Sequence, residues 1–339
     1  MRELIADIDR WRANGEKVAL ATVVSTWGSA PRRPGAKMAV SAGGLSGSVS
    51  GGCIEGAVAQ EARAALRDGQ PRLLHFGVSD ETAWSVGLAC GGQVEVFISV
   101  LDEALYEATR DALLAHRAVV GATVIVGEPL GRSALFTPGG PTVGSLGAAD
   151  SAAHEAALAS LRDGQCQRAA LGEAELFVEP LLPPPTLVVV GGVHIAVTLV
   201  SLARTLGYRT VVVDPRSAFG SAARFGHADR LVDAWPDDAL RSIGLSASTA
   251  VAVLSHDPKL DDPALLVALR SDAFYVGALG STRTQEKRRA RLGEAGLSDP
   301  ELARLHGPIG LPLGGRTPEE IALAIMAEIV LARNRRQDK

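Results

Sequence analysis

Two of the three cysteines in the sequence share one local chemistry. Cys53 stands in "GSVSGGCIEGAV", between a double glycine and the start of a helical pattern, and Cys90 stands in "GLACGG", just before a strand-like run. Glycine lets backbone close on a ligand, while a helix start directs unpaired N–H groups and a positive dipole end outward. A thiol in that setting favours the thiolate, which is both a nucleophile and a soft metal ligand. Arg32, Arg33 and Lys37, in the proline-bracketed "PRRPGAK", bring positive charge suited to a phosphate. The expected ligand is therefore anionic with a soft centre. Gly51, Gly52, Glu55, Arg32 and Arg33 would surround it, and Cys53 and Cys90 would be its metal-directed pair. The opposing reading makes Cys53 a small core residue and the arginines solvated, and the segment alone leaves both open. Glu55 reads first as a helix-start acid and second as a group that orients the thiol. His75 reads as packed on a strand, and Cys166 has no assigned role.

A second candidate lies in "VVVGGVHIA", which follows a strand and opens a helix, where a dinucleotide fingerprint would stand. Gly191 and Gly192 fit, and Asp214 ends the following strand, where a ribose-binding carboxylate belongs. Val193 occupies the position at which glycine lets backbone approach a pyrophosphate, so weak or no NAD(P) binding is expected. An NAD(P)-dependent oxidoreductase is the alternative function that this half supports. Gly280 and Ser281, in "YVGALGS", fall at another strand end, where ligands of open α/β sheets bind. Glu319 and Glu320 follow Thr317 and Pro318, an N-cap and an N1 proline, and read as helix-start acids.

These segments need elements to hold them. "EPLLPPPT" divides the chain, because three successive prolines donate no backbone hydrogen bonds and favour an extended linker. Expected boundaries are 1–180, a linker over 181–186, and 187–335. After the linker, β-branched apolar runs at 209–214, 229–233, 249–255 and 273–281 alternate with helical patterns, which implies a Rossmann-like parallel sheet covered on both faces. Before it, the chain repeats: "ATVVSTWG" from Ala21 answers to "ATVIVGEP" from Ala122, "ARAALRDGQ" from Ala62 to "AALASLRDGQ" from Ala156, and "VEVFI" from Val94 to "AELFV" from Ala174. The fold class expected is α/β, a duplicated α/β N-terminal domain followed by the Rossmann-like one. The second copy has "GSLGAADSAAHEAA" where the first has the cysteine and double glycine. Three glycine-flanked segments in one copy imply one site.

A hydrophobic content of 47% with 21% charged residues describes a globular chain, and no apolar run approaches membrane-spanning length. The N-terminus "MRELIADIDRW" reads as an amphipathic helix and not a signal peptide, so a soluble, cytoplasmic protein is expected. A net charge of -4 and 4% aromatics disfavour nucleic-acid binding. The cysteine spacing matches neither a disulfide framework nor a structural zinc site.

With these segments in hand, the chain resembles the XdhC/CoxI family of molybdoenzyme maturation factors. The likeness rests on "GSAPRRPGAKM", "GSVSGGCIEGAV", "GLACGGQVEVFI", "LVVVGGVHIA", "HDPKLDD", "YVGALGS" and "PIGLPLGGRTPEEIALAIMAEIV". It implies binding of the molybdenum cofactor (molybdopterin) and protection of its sulfurated form. It also implies delivery to a xanthine dehydrogenase-like client with help from a cysteine desulfurase. A cofactor chaperone that turns over no substrate, and a homodimer, are the further expectations. Gly51, Gly52, Cys53, Ile54 and Glu55 match the family's cysteine motif. Val193 and Ala196 depart from its usual glycine-rich loop.

Overall fold

The computed structural model describes residues 1–29, 32–77 and 92–337. The chain divides into two compact units, Met1–Pro183 and Pro184–Lys339. Among the described residues no helix is long and apolar enough to cross a membrane.

In the first unit the elements are α1 (Ile5–Ala13), β1 (Ala19–Trp27), β2 (Lys37–Ser41), β3 (Gly44–Gly47), α2 (Glu55–Asp68), β4 (Arg72–Phe76) and β5 (Gln93–Val100), followed by α3 (Glu103–Leu114), β6 (Val119–Val126), β7 (Ser133–Phe136), β8 (Val143–Gly144), α4 (Asp150–Asp163), β9 (Gln167–Leu171) and β10 (Ala174–Leu181). The two halves repeat one topology. Their antiparallel sheets have the orders β3-β2-β1-β5-β4 and β8-β7-β6-β10-β9. The registers also match: Thr22 pairs with Phe97 as Thr123 pairs with Phe177. The expected duplication is therefore present; the amphipathic N-terminus read from the sequence is the leading helix α1, and its counterpart α3 and the third short strand of each copy are additions to the repeat. Both long helices stop at Asp-Gly, where Gly69 (φ 73°) and Gly164 (φ 67°) take the left-handed conformation that ends a helix.

Strand alternation assigns each sheet two faces. Met38 and Val40 pack with Ile54, Val58 and Ala62, beneath α2. In the second copy Val120, Ala122 and Val124 pack with Ala153 and Ala157, beneath α4. The other faces meet each other through Val24, Phe97, Ile125 and Phe177. At roughly 1.5–3 kcal/mol for each large side chain taken fully out of water, these layers dominate the unit's stability.

The second unit contains β11 (Thr186–Val190), α5 (His194–Thr205), β12 (Arg209–Val213), α6 (Ala222–Phe225), β13 (Arg230–Val232), α7 (Pro236–Ile243), β14 (Thr249–Val253), α8 (Pro258–Arg270), β15 (Tyr275–Ala278), α9 (Thr282–Glu294), α10 (Asp299–Ala303), β16 (Leu305–His306) and α11 (Pro318–Gln337). The sheet order is β13-β12-β11-β14-β15-β16, and every pairing is parallel. This is the expected Rossmann-like sheet with both faces covered. Leu187 and Val189 join Leu199, Ile325 and Met326 on one side. Val188 and Val190 join Leu240, Leu265 and Leu292 on the other. The chain order reverses between β11 and β14, the switch point at which such sheets open a crevice.

Candidate functional site

The segment around Cys53 is organised by a carboxylate. Glu55 is the first residue of α2, and its Oε1 accepts from Ser48 Oγ (2.7 Å), Val49 N (3.2 Å), Ser50 N (2.9 Å) and Gly51 N (3.0 Å). Its Oε2 accepts from Ser50 Oγ (2.5 Å) and Gly52 N (2.9 Å). Burial pushes the Glu55 carboxyl up, but the hydrogen bonds led by Ser50 and Ser48 outweigh it and hold it at about 2. The chain curls around this internal anion, with Gly51 (φ 82°) and Gly52 (φ 128°) in backbone conformations that side-chain-bearing residues rarely adopt. Ser50 Oγ also accepts from Ile54 N (3.0 Å), and Ile54 is fully buried beneath the loop.

The expected ligand-facing glycine turn is thereby corrected. The loop N–H groups of residues 49–52 are spent on Glu55, so the glycines serve a turn and Glu55 serves as its anchor. What the turn leaves open is the thiol: Cys53 is exposed. The small-core reading of this cysteine is overturned. Cys166 is the contrast, with burial and then Glu179 pushing its thiol up to about 12.

Comparison of the two copies isolates what is special. Asp150 opens α4 as Glu55 opens α2, and it accepts from Ser145 Oγ (2.7 Å) and Leu146 N (2.5 Å). The connection from strand to helix spans 145–149 in the second copy and 48–54 in the first, which is two residues longer. The anchor is common to both copies, whereas the protruding thiol belongs to one.

Strand directions place two of the three glycine-flanked segments, those around Gly28 and around Cys53, at one end of the first sheet. β1 ends there at Trp27, β2 begins there, and β3 ends there opposite it, with Gly47 paired to Met38. β4 ends and β5 begins at the same end, with Phe76 paired to Val94 and Gln93 to Trp27. A Cβ on Gly92 would lie 2.9 Å from the carbonyl oxygen of Ser29, so these backbones touch. Arg32 and Arg33 are exposed in the connection that leaves this end. Cys90 falls outside the described residues, which resume at Gly92. Among the described residues no group of three or more His, Cys, Asp or Glu side chains is arranged to hold a metal.

Two further expectations change. Lys37 does not add charge beside the thiol. Alternation sends Met38 to the face under α2 and Lys37 to the opposite face, where its Nζ lies 2.7 Å from Glu179 Oε2. His75 is not packed but exposed, with Nδ1 2.7 Å from Glu95 Oε1, and Glu95 also pairs with Arg168.

In the second unit, Gly191 and Gly192 close on protein. A Cβ on Gly192 would sit 2.4 Å from the carbonyl oxygen of Phe219, and one on Gly191 would sit 2.8 Å from Ser255 N. Arg224 Nη1 donates to the Gly192 carbonyl (2.6 Å). Asp214 is buried and accepts from Gly192 N (2.8 Å) and from Arg216 N (2.9 Å), Nε (2.8 Å) and Nη2 (2.8 Å). Burial raises its pKa, but the Arg216 hydrogen bonds lead in lowering it below the ordinary value. The expected ribose acceptor is thus an internal tie between β12 and the glycine turn. Val193 is an extended N-cap residue whose side chain packs against the sheet's core, so the crowding at this turn comes from Phe219 instead. Gly280 and Ser281 start α9, with Ser281 Oγ accepting from Thr284 N (3.3 Å). Thr317 and Glu320 cap α11 reciprocally, as expected.

The polar stretch from Ser255 to Asp262, which by its place at a strand end reads as ligand-facing, instead joins Arg288 in a buried cluster near the switch point that sequence reasoning did not assemble. Asp261 accepts from Ser255 Oγ (2.6 Å) and Arg288 Nη2 (2.9 Å), and Arg288 Nη1 reaches Gln285 Oε1 (2.7 Å) and the Leu279 carbonyl (3.1 Å). The signal was present in the pattern. Asp261 shares a helical stripe with Ala264, Leu265 and Ala268, and Arg288 shares one with Gln285 and Leu292, so opposite charges sit on two core-facing stripes.

Residues 11–77 match the XdhC and CoxI family, and residues 187–329 match the XdhC Rossmann domain. The chain is 28% identical, over 97% of both sequences, to a Bacillus subtilis (strain 168) protein named as a probable xanthine dehydrogenase subunit. It is 27% identical to the molybdenum cofactor insertion chaperone PaoD of Escherichia coli (strain K12), across 94% of this chain and 85% of that one. A crystal structure described as a xanthine dehydrogenase from Bacillus halodurans superposes with a TM-score of 0.79 at 23% identity, covering 99% of this chain and 97% of that one, a likeness of fold.

Proposed function

Since the chain belongs to the XdhC and CoxI family, we propose that it is a carrier of the molybdenum cofactor that hands this cargo to a xanthine dehydrogenase-like client. The observation that carries the reading is the exposed Cys53, held out on the longer loop by Glu55 at the sheet end where Arg32 and Arg33 also emerge. A soft thiol and two exposed guanidiniums suit a ligand that joins a soft metal centre to a phosphate. In this account Cys53 meets the metal-dithiolene end and Cys90 assists it. The arginines take the phosphate, and Glu55 fixes the turn without touching the cargo. The carrier protects the sulfurated form, receives it with the help of a cysteine desulfurase, works as a homodimer, and turns over no substrate.

The rival is a nicotinamide-dependent oxidoreductase on the second unit. The Phe219 carbonyl over Gly192 and the commitment of Asp214 to Arg216 weigh against it. Production in a host that makes the cofactor tests the proposal. Purified protein should carry molybdenum and release a pterin on acid oxidation, and it should activate an apo-client. Protein that emerges free of both, and leaves the client inactive, contradicts it.

A further inference from the structure

The duplicated unit contains a cavity of about 450 Å³ between its two sheets. Matched inner-face positions explain why it exists. Thr22 answers to Thr123, Val24 to Ile125 and Phe97 to Phe177, so most of the two faces agree. Three matched positions differ. Leu20, opposite Ser99, answers to Gly121, opposite Glu179. Lys37, opposite Thr22, answers to Ser133, opposite Thr123. The glycine removes a leucine's volume, and a Cβ at Gly121 would meet no atom within 4 Å. The other two differences bring one charge from each copy together, Lys37 Nζ 2.7 Å from Glu179 Oε2, with Lys37 also donating to Thr22 Oγ1 (2.9 Å). Lys37 is 5% and Glu179 13% exposed. A buried ion pair gains little over apolar packing, and a void between packed layers costs stability. Three independent differences nevertheless converge on one place.

We infer that this cavity binds a planar heterocycle with an amino-pyrimidinone edge. Such an edge presents an acceptor oxygen, a ring N–H and an exocyclic amine in a row. Lys37 donates to the oxygen, the Glu179 carboxylate accepts from the two nitrogens, and Phe97 and Phe177, packed together with Val24 and Ile125, give the ring an apolar wall on one side of the cavity. The volume falls within the range of small-ligand sites. This inference rests on the carrier reading above, whose cargo contains a pterin of this chemistry; guanine carries the same edge.

The full-length chain is titrated into pterin-6-carboxylate, followed by its fluorescence, and separately against GMP. Saturable binding of the pterin at one site per chain is expected, tighter than that of GMP. Glu179→Gln should weaken it by about tenfold or more. Gly121→Leu, which restores the first copy's residue and leaves the ion pair in place, should abolish it while keeping a cooperative thermal transition. Tighter binding of GMP reassigns the cavity to guanine nucleotides and overturns the pterin. Absence of saturable binding, or binding that both variants preserve, overturns the site. Protein that carries molybdenum through Cys53 yet fails these titrations refutes only this inference. Protein that passes them but carries no molybdenum refutes the carrier reading and leaves the cavity standing.

Discussion

Replacing Glu55 with alanine removes the acceptor of six hydrogen bonds in one step. Their energies are not equal. Gly51 and Gly52 are exposed, so water replaces the carboxylate at their N–H groups with little loss. Val49 and Ser50 are 0% and 1% exposed, and their N–H groups lose their partner inside the protein. At about 1–3 kcal/mol for each unsatisfied buried donor, less what water recovers by entering, Glu55→Ala should cost about 2–4 kcal/mol. For a unit of this size that is about 4–16 °C in the unfolding transition of the first unit. Differential scanning calorimetry reads the shift, and hydrogen exchange at residues 49–52 should rise toward the rate of an open loop. Asp150→Ala, which removes two such bonds in the second copy, should cost less. A transition within about 2 °C of the parent, with unchanged exchange at 49–52, would show that the carboxylate does not organise the loop.

Other consequences follow from the same geometry. Acid should act through Glu55: its folded-state value of about 2 lies below the ordinary 4.5, so the stability it contributes is complete above pH 4.5 and is lost as pH falls toward 2. Glu55→Gln should flatten that part of a pH–stability profile, and an unaltered profile would refute the assignment. Peptide mapping after brief iodoacetamide treatment near pH 8 should find Cys53 alkylated and Cys166 protected, since burial pushes the Cys166 thiol up to about 12; equal labelling counts against the contrast. Gly192→Ala should destabilise the second unit by about 1–3 kcal/mol, because its methyl meets the Phe219 carbonyl at 2.4 Å; a neutral outcome in a thermal melt would show that the Phe219 segment yields freely.

What was legible in the sequence follows from what is local. The repeated phrases around Ala21 and Ala122 align in the structure at matching strand positions, because apolar strand-forming runs and helix-ending Asp-Gly signals are properties of short stretches. The parallel sheet was legible from runs such as "TLVVV", in which the four residues after Thr186 are all buried. The site was legible only as a region. Composition marks Gly51, Gly52 and Cys53 as special, yet the identity of the anion that the turn encloses depends on where the Glu55 side chain folds back. Lys37 is misread for a similar reason: beside Arg32 and Arg33 in sequence, it is turned away by one step of strand alternation toward Glu179. Asp214 fits a fingerprint by position, and only the side chain of Arg216 two residues on reveals that its acceptors are already used.

The most direct test of the carrier reading compares molybdenum per chain in parent and Cys53→Ala protein, both purified from a host that synthesises the cofactor. Cys53 is exposed, so the exchange should leave the thermal transition within about 1 °C. The parent should carry molybdenum and the variant, equally folded, about a tenth of it or less, a fraction that corresponds to about 1.4 kcal/mol of lost binding. Equal molybdenum in the two proteins would show that Cys53 does not hold the metal and is an ordinary surface residue.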